Sequence, residues 1–412
     1  MTRRRPLRPT LRPIPPARPT DERTTPMSHP APSHPAPRPP AGPAAPASAA
    51  PPRPAHRRRG TAALAASTAL ALLLSGCAAG ARADDAPTTG GLAADAELPT
   101  EVPAGTTLVI GDPTTQKAFE LAGEELTGDL GFEIEWANVS GGPQTVEAFN
   151  AGVLDLGSVA DIPPIHAAWT GLDVQIYATQ YREDWKEHPI YELAAAPGVE
   201  LDALTDLRGL RIAFSPGQAQ GALVLRALRA AGLTQDDVEL VELPSTGDVY
   251  PTALAAGEVD VAPVGGTALA RYLDGYGADG ATSLRHGLRD DPGHLYGPTA
   301  VVRDPAKAAA LRRYVAAWAR ARVWIYEHPE IWKEKYYVED QGLSEEDAQY
   351  LVDTAARPEV PADLTDGIAR TQETIDLLAG ELDRPPLRAS GLFDERFGPV
   401  AGEAAEQAWG AR

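Results

Sequence analysis

Leu210-Arg211-Ile212-Ala213-Phe214, then Ser215-Pro216-Gly217-Gln218, then an alanine- and leucine-rich run to Gly232, is the stretch that decides the fold class. The first five residues read as a short apolar strand. Pro216 and Gly217 end it, because proline has no N–H for a ladder and glycine permits a tight turn. Residues 219–231 carry apolar side chains at helical spacing, and Gly232 supplies a C-cap. Strand, loop and helix in this order are half of a β-α-β unit. The other half follows, as a strand at 238–243, a helix at 250–256 capped by Gly257, and a strand at 259–264 ended by Gly265-Gly266. Repeated units of this kind build parallel sheets with helices on both faces, an α/β fold.

The alternation also runs upstream. A strand at 107–110 ends in Gly111-Asp112-Pro113, and 114–126 reads as a helix with Phe119, Ala122 and Leu126 on one side. A strand at 132–136 is broken by Gly141-Gly142-Pro143, and 144–151 is a helix. A strand begins at 154–156, Ala160-Asp161-Ile162-Pro163-Pro164 opens a helix with proline at an early position, and 174–179 is strand again. Beyond Pro305 the pattern turns helical, at 306–328, 330–337, 344–354 and 364–379. Trp318 and Trp324 share a face with Val315, Ala321 and Ile325, a core-packing stripe. About 310 residues of this kind are most naturally two lobes.

The N-terminus reads differently. Residues 1–60 hold 18 of the 40 prolines, 12 arginines and only two acids, a disordered leader with little to bury. Either the chain starts at Met27, the only other methionine, or a long leader is removed with the signal. Arg57, Arg58 and Arg59, the apolar run 62–74 and the small residues of Leu73-Leu74-Ser75-Gly76-Cys77 make residues 61–77 a secretory signal. The run is short for a membrane span, which needs roughly 20 apolar residues. Residues 78–103, rich in Ala, Gly, Thr, Asp and Pro, read as a flexible tether. Cys77 is the only cysteine, so no intrachain disulfide can form. The formal charge is −20, and the part after Cys77 carries 25 basic and 55 acidic residues. That argues against a nucleic-acid partner and suits a soluble domain held near a membrane without lying on it.

Ligands of open parallel sheets sit at the carboxyl ends of strands, where helix N-termini offer free N–H groups to anions. Five loops qualify, at 112–117, 140–142, 160–161, 215–220 and 265–267. His166, His188, His286, His294 and His328 show no metal-ligand spacing, and Asp161 near His166 reads as a helix-start acid. There is no Gly-x-Ser-x-Gly, phosphate loop or dinucleotide fingerprint. No catalytic residue, metal or cofactor is expected.

Three stretches carry a family resemblance: Gly141-Gly142-Pro143-Gln144-Thr145-Val146-Glu147-Ala148-Phe149-Asn150-Ala151-Gly152-Val153-Leu154-Asp155-Leu156-Gly157; Ala160-Asp161-Ile162-Pro163-Pro164-Ile165-His166-Ala167-Ala168; and Asp206-Leu207-Arg208-Gly209-Leu210-Arg211-Ile212-Ala213 with its Ser-Pro-Gly-Gln loop. They resemble the substrate-binding proteins of ABC importers, in the group for aliphatic sulfonates, taurine and nitrate. The pattern runs from about 107 to 273. It implies a two-lobed periplasmic-binding-protein-like fold (type II), with two crossing strands and the ligand in the interlobe cleft. Residues 104–182 would begin lobe 1, 183–285 would form lobe 2, and 286–412 would return to lobe 1 with the C-terminal helices. Cys77 at the end of its signal resembles a bacterial lipobox, which implies diacylglyceryl attachment, export and anchoring to the outer face of the cytoplasmic membrane. The bland alternative is a free cysteine ending a short apolar helix.

Carried over by position, the ligand-binding candidates are Gln116, Lys117, Ser140, Gly141, Gly142, Ala160, Asp161, Ser215, Gly217, Gln218, Gln220, Gly265, Gly266 and Thr267. Each keeps an alternative: Lys117 as a solvated helix charge, the Gly141-Gly142 pair as a plain turn, and Ser215, Gln218 and Gln220 as simple N-capping. Asp112-Pro113-Thr114-Thr115 replaces the family's shorter, aromatic-containing approach to Gln116-Lys117. Pro263-Val264-Gly265-Gly266-Thr267 replaces a tryptophan-containing motif, and the glycine pair suggests room for a bulkier ligand. The implied partners are ABC permease transmembrane subunits with a cytoplasmic ATPase and a small anionic solute, the chain acting as a monomer. Two other classes stay open: a sensory or partner-binding lipoprotein, and an enzyme like the thiamine-pyrimidine synthases of the same fold. The latter work in the cytoplasm with catalytic histidine and cysteine-rich features, whereas the cysteine here ends the signal.

Overall fold

The computed structural model describes residues 91–139 and 141–411; the leader, the signal with Cys77, and Ser140 lie outside the described residues. The strands in chain order are β1 (Thr107–Gly111), β2 (Glu133–Trp136), β3 (Leu156–Ala160), β4 (Val174–Arg182), β5 (Glu192–Ala195), β6 (Arg211–Phe214), β7 (Glu239–Glu242), β8 (Val261–Val264), β9 (Thr282–Leu284), β10 (Gly293–Pro298) and β11 (Pro358–Glu359). They form two sheets, β11-β4-β10-β3-β1-β2 and β7-β6-β8-β5-β9. In the first, β1 is parallel to β2 and β3, with Ile110 opposite both Trp136 and Leu156. In the second, β6 is parallel to β7 and β8.

Each sheet also holds an interior strand running against both of its neighbours, and β11 runs antiparallel to β4 at the edge of the first. β10 lies antiparallel between β3 and β4, and β5 lies antiparallel between β8 and β9. These are the strands that follow the two chain crossings, from β4 to β5 and from β9 back to β10. The crossings are tied to each other. Arg182 N–H donates to Asp291 Oδ2 at 2.7 Å, and Tyr191 N–H donates to Asp290 Oδ2 at 2.8 Å.

The core of the first lobe packs β1 and β4 against a long helix, Pro305–Glu327, and the C-terminal helix Gly398–Gly410. Asp304 caps the long helix by accepting from the N–H groups of Ala306 and Lys307. Leu108 and Ile110 are fully buried there, each contributing roughly 1.5–3 kcal/mol. Helix Thr365–Glu381 serves both lobes. Its Ile375 packs with Ile165 and Ile176 of the first, while Leu377 and Leu378 join Leu225 and Leu228 of the second.

Three features differ from the sequence reading. The helix expected over 114–126 is cut at Gly123, whose φ of 58° lies in the left-handed region, into Pro113–Ala122 and Glu124–Thr127. The helix expected over 330–337 becomes one α-turn, Pro329–Trp332, followed by a π-helix, Lys333–Asp340. From residue 91 the expected tether lies on the body. Leu98 is buried in the first-lobe core, Leu92 N–H donates to the Arg303 carbonyl at 2.7 Å, and Arg396 Nη1 donates to the Ala96 carbonyl at 2.7 Å. The cause is the spacing of Leu92, Leu98 and Val102, which buries Leu98 and packs the other two, partly buried, against that core. No helix among the described residues is long and apolar enough to cross a membrane.

Candidate ligand-binding site

Two cavities lie between the lobes. The first, of about 730 Å³, is walled on one side by Gly142, Pro163 and His166 and on the other by Ser215, Gly217 and Gln218. Helix Gly142–Asn150 starts at Gly141, whose φ is 82° and which has no side chain to cap it. Helix Ala219–Ala230 starts at Gln218 in an extended conformation, also without a side-chain cap. Each helix therefore presents first-turn N–H groups and a partial positive charge to the same space. Gly142 is a packing requirement, because a Cβ there would meet Pro163 Cγ at 2.5 Å. Gly217, with φ 98°, brings the lobe 2 loop against the His166 ring of lobe 1, 3.4 Å from where its Cβ would stand.

Ser215 is 5 % exposed, and its hydroxyl is buried with no hydrogen-bond partner. The hydroxyls of Ser245 and Tyr250 are in the same condition. The three hydroxyls lie close enough to one another for the serines to pull the Tyr250 phenol down against the larger upward push of burial, but none makes a well-formed hydrogen bond. His166 Nε2 is likewise buried without a partner, and burial, helped by the charge of Arg384, lowers its pKa, which favours the neutral ring. Glu147 and Glu242, both exposed, also line the cavity. The cavity thus offers a set of N–H and O–H donors without a formal cation, a setting for an oxyanion.

The second cavity is larger, about 1230 Å³, and lies beside the crossings. Arg182, Arg322, Tyr191 and Trp332 are among its walls, with Thr114, Gly265 and Gly266. Arg182 Nη1 donates to the carbonyls of His188 and Pro189, and burial lowers its pKa against the opposing charges of Asp290 and Asp291. Arg322 bonds Asp112 Oδ2 at 3.0 Å and the Thr115 hydroxyl, while its Nε is buried with no partner.

The sequence and the fold have known counterparts. Residues 110–289 match the family model described as the ABC-transporter phosphonate periplasmic substrate-binding protein. A protein of Escherichia coli (strain K12) named for aliphatic sulfonate binding is 36% identical over 107 residues, 26% of this chain and 32% of that protein. The chain thus spans about a third of that relative's length. The alkanesulfonate-binding protein SsuA of Xanthomonas axonopodis pv. citri, solved bound to MOPS, superposes with a TM-score of 0.58 at 22% identity, covering 71% of this chain and 99% of that one. The periplasmic aliphatic sulphonate binding protein SsuA of Escherichia coli gives 0.59 at 22% identity, covering 70% and 92%. The chain has the periplasmic-binding-protein fold. In sequence it is similar to the substrate-binding proteins of ABC importers, in the sulfonate group.

Within this fold the sequence candidates separate. Gly142, Ser215, Gly217 and Gln218 meet at the first cavity, with Gly141 just before it and Gln220 in the first turn of its helix. Gly265 and Gly266 line the second, and Thr267 begins the helix Gly266–Tyr276 behind them. Both positions are also close-packed on their backbone side. A Cβ on Gly265 would lie 2.0 Å from the Ile190 carbonyl, and one on Gly266 3.6 Å from Leu351 Cδ2. The remaining candidates have other partners. Gln116 Nε2 donates to Glu120 at 3.1 Å. Lys117 pairs with Asp340 at 2.6 Å, which raises its pKa. Ala160 pairs with Gly293 in the sheet, and Asp161 forms a 2.6 Å ion pair with Arg226 across the lobes. His166, Arg182 and Arg322 were missed as wall residues, since no motif or spacing marks them.

Proposed function

We propose that the chain is the extracytoplasmic solute-binding protein of an ABC importer. It captures a small anionic solute, a sulfonate or related organosulfur compound, and delivers it as a monomer to permease transmembrane subunits served by a cytoplasmic ATPase. The lobes, taken as 104–182 with 286–412 and as 183–285, close on the solute by hinge motion. The carrying observation is the first cavity, where two uncapped helix N-termini from opposite lobes face the unpartnered Ser215 hydroxyl. Its contacts are assigned to Gly141, Gly142, Ser215, Gly217, Gln218 and Gln220. The substrate-binding family supports export, and the signal ending at Cys77 supports a lipid tether to the outer face of the membrane. A second placement, in the larger cavity, is favoured by Arg182 and the unpartnered Nε of Arg322.

Thermal unfolding of the purified protein with MOPS, ethanesulfonate, taurine, a sulfate ester and nitrate tests this. A solute that binds only the folded state stabilises it by about 2.7 kcal/mol at a hundredfold excess over Kd. Ser215→Ala with Gln218→Ala should lower sulfonate affinity at least tenfold, each lost bond to a charged ligand being worth roughly 1.5–3 kcal/mol. Loss on Arg182→Gln with the Ser215 and Gln218 variant unaffected would move the solute to the larger cavity. No stabilisation by any sulfonate would sink the substrate assignment.

A further inference from the structure

Four arginines gather in a third cavity, of about 490 Å³. Arg226 and Arg229 come from helix Ala219–Ala230, Arg370 from helix Thr365–Glu381, and Arg289 from the return crossing. In a chain of formal charge −20 this is a local reversal of sign. Only part of the charge is answered. Arg226 pairs with Asp161 at 2.6 Å and Arg289 with Asp291 at 2.6 Å. Among the described residues neither Arg229 nor Arg370 has a carboxylate at ion-pair distance, and Arg370 Nη1 is buried with no hydrogen-bond partner. Glu373 is the one further acid on the wall.

The arrangement also concentrates like charge. The guanidinium groups of Arg370 and Arg289 lie over the same Tyr181 ring, 4.6 and 5.3 Å from its centre. Stacking offsets some of their repulsion without using an N–H; Arg289 spends Nε and Nη2 on Asp291, whereas Arg370 Nη1 stays unpartnered. Gly367, three residues before Arg370, lets the ring sit there, since a Cβ would come within 2.7 Å of the Tyr181 hydroxyl. A guanidinium presents a planar fork of donors that matches two oxygens of a tetrahedral oxyanion.

We propose that this cavity is a second anion site, for a small tetrahedral oxyanion of the phosphate or sulfate type, distinct from the solute cavity. Its walls are drawn from lobe 2, from the return crossing and from the helix shared by both lobes, and Arg226 already bridges lobe 2 to Asp161 of lobe 1. The assignment does not depend on which interlobe cavity holds the solute.

The test is calorimetric titration of the purified full chain with inorganic phosphate and, separately, sulfate, with chloride as control. Saturable binding of at least one oxyanion is expected. Arg229→Gln, a change on an exposed residue, and Arg370→Gln should each weaken it at least tenfold. Ser215→Ala and Arg182→Gln, which lie at the other two cavities, should leave it within twofold. Absence of saturable binding by either oxyanion would overturn the proposal. So would equal heats with chloride, loss on Ser215→Ala or Arg182→Gln, or binding that both arginine variants retain.

Discussion

The loop after β1 in the first lobe and the loop after β6 in the second occupy equivalent places, at the carboxyl end of the first parallel strand of each sheet. They are finished in opposite ways. After β1, Asp112 accepts from Thr115 N–H and hydroxyl and meets Arg322, Gln116 bonds Glu120, and Lys117 bonds Asp340. After β6, the Ser215 hydroxyl has no partner, Gln218 caps nothing, and Gly217 only touches His166. Polar groups satisfied within the protein hold a loop in shape. Polar groups left unsatisfied at the same place are available to a ligand.

The largest expected effect is on the satisfied side. Asp112→Ala removes a helix cap and leaves Arg322 as an unpaired, largely buried cation, so it should cost about 3–5 kcal/mol in urea unfolding. Sulfonate affinity of the protein that still folds should not change. A loss below about 1 kcal/mol would show that this loop is not locked after all. Next comes His294, an interior group of the first sheet, fully buried, with Nδ1 2.9 Å from the Thr179 hydroxyl and Nε2 without a partner. Burial holds its pKa down at about 4, with Asp161 pulling weakly upward. The unfolded histidine, near 6.5, takes up its proton first, so stability should fall as pH drops from about 7 towards 4, by roughly 2 kcal/mol at pH 5. The decrement is read as the difference from His294→Gln, and an equal slope in that variant would place the titration elsewhere.

On the unsatisfied side the sign reverses. Ser215→Ala removes a buried hydroxyl with no well-formed hydrogen bond, so the stability of the ligand-free protein should hold or rise by up to about 1 kcal/mol. A loss of that size would mean that the hydroxyl already has a structural partner, and the contrast between the loops would collapse. The smallest effect is expected for Lys117→Met. Its pair with Asp340 lies near the surface and should be worth less than about 1 kcal/mol, with solute affinity unchanged. A clear loss of affinity would return Lys117 to the binding site.

The same contrast explains what could be read from the chain alone. Leu210 to Phe214, the Pro-Gly break and the helix to Gly232 were legible because each boundary is set by a local residue choice. β5 and β10 were not. Glu-Leu-Ala-Ala and Gly-His-Leu-Tyr-Gly-Pro show no alternation, because strands buried on both faces need none. Gly297 in β10 is small for a non-local reason, since a Cβ would meet the Asp155 carbonyl at 2.2 Å. At the site, Ser215 and Gln218 were legible as polar residues at a strand-to-helix turn. The pairing of Lys117 with Asp340 joins positions more than two hundred residues apart, and His166 became a wall residue only through the approach of Gly217. Sequence offsets carry local chemistry well and distant partners poorly.

The return crossing has a mechanical meaning. Its two adjacent carboxylates hold the backbone of the outgoing crossing at both ends, at Arg182 and at Tyr191. Two threads pinned in this way twist as one torsion bar. A swing of either half would then turn both threads together rather than one alone. In the proposed role the molecule would present a partner with one closed state, whichever half was pushed.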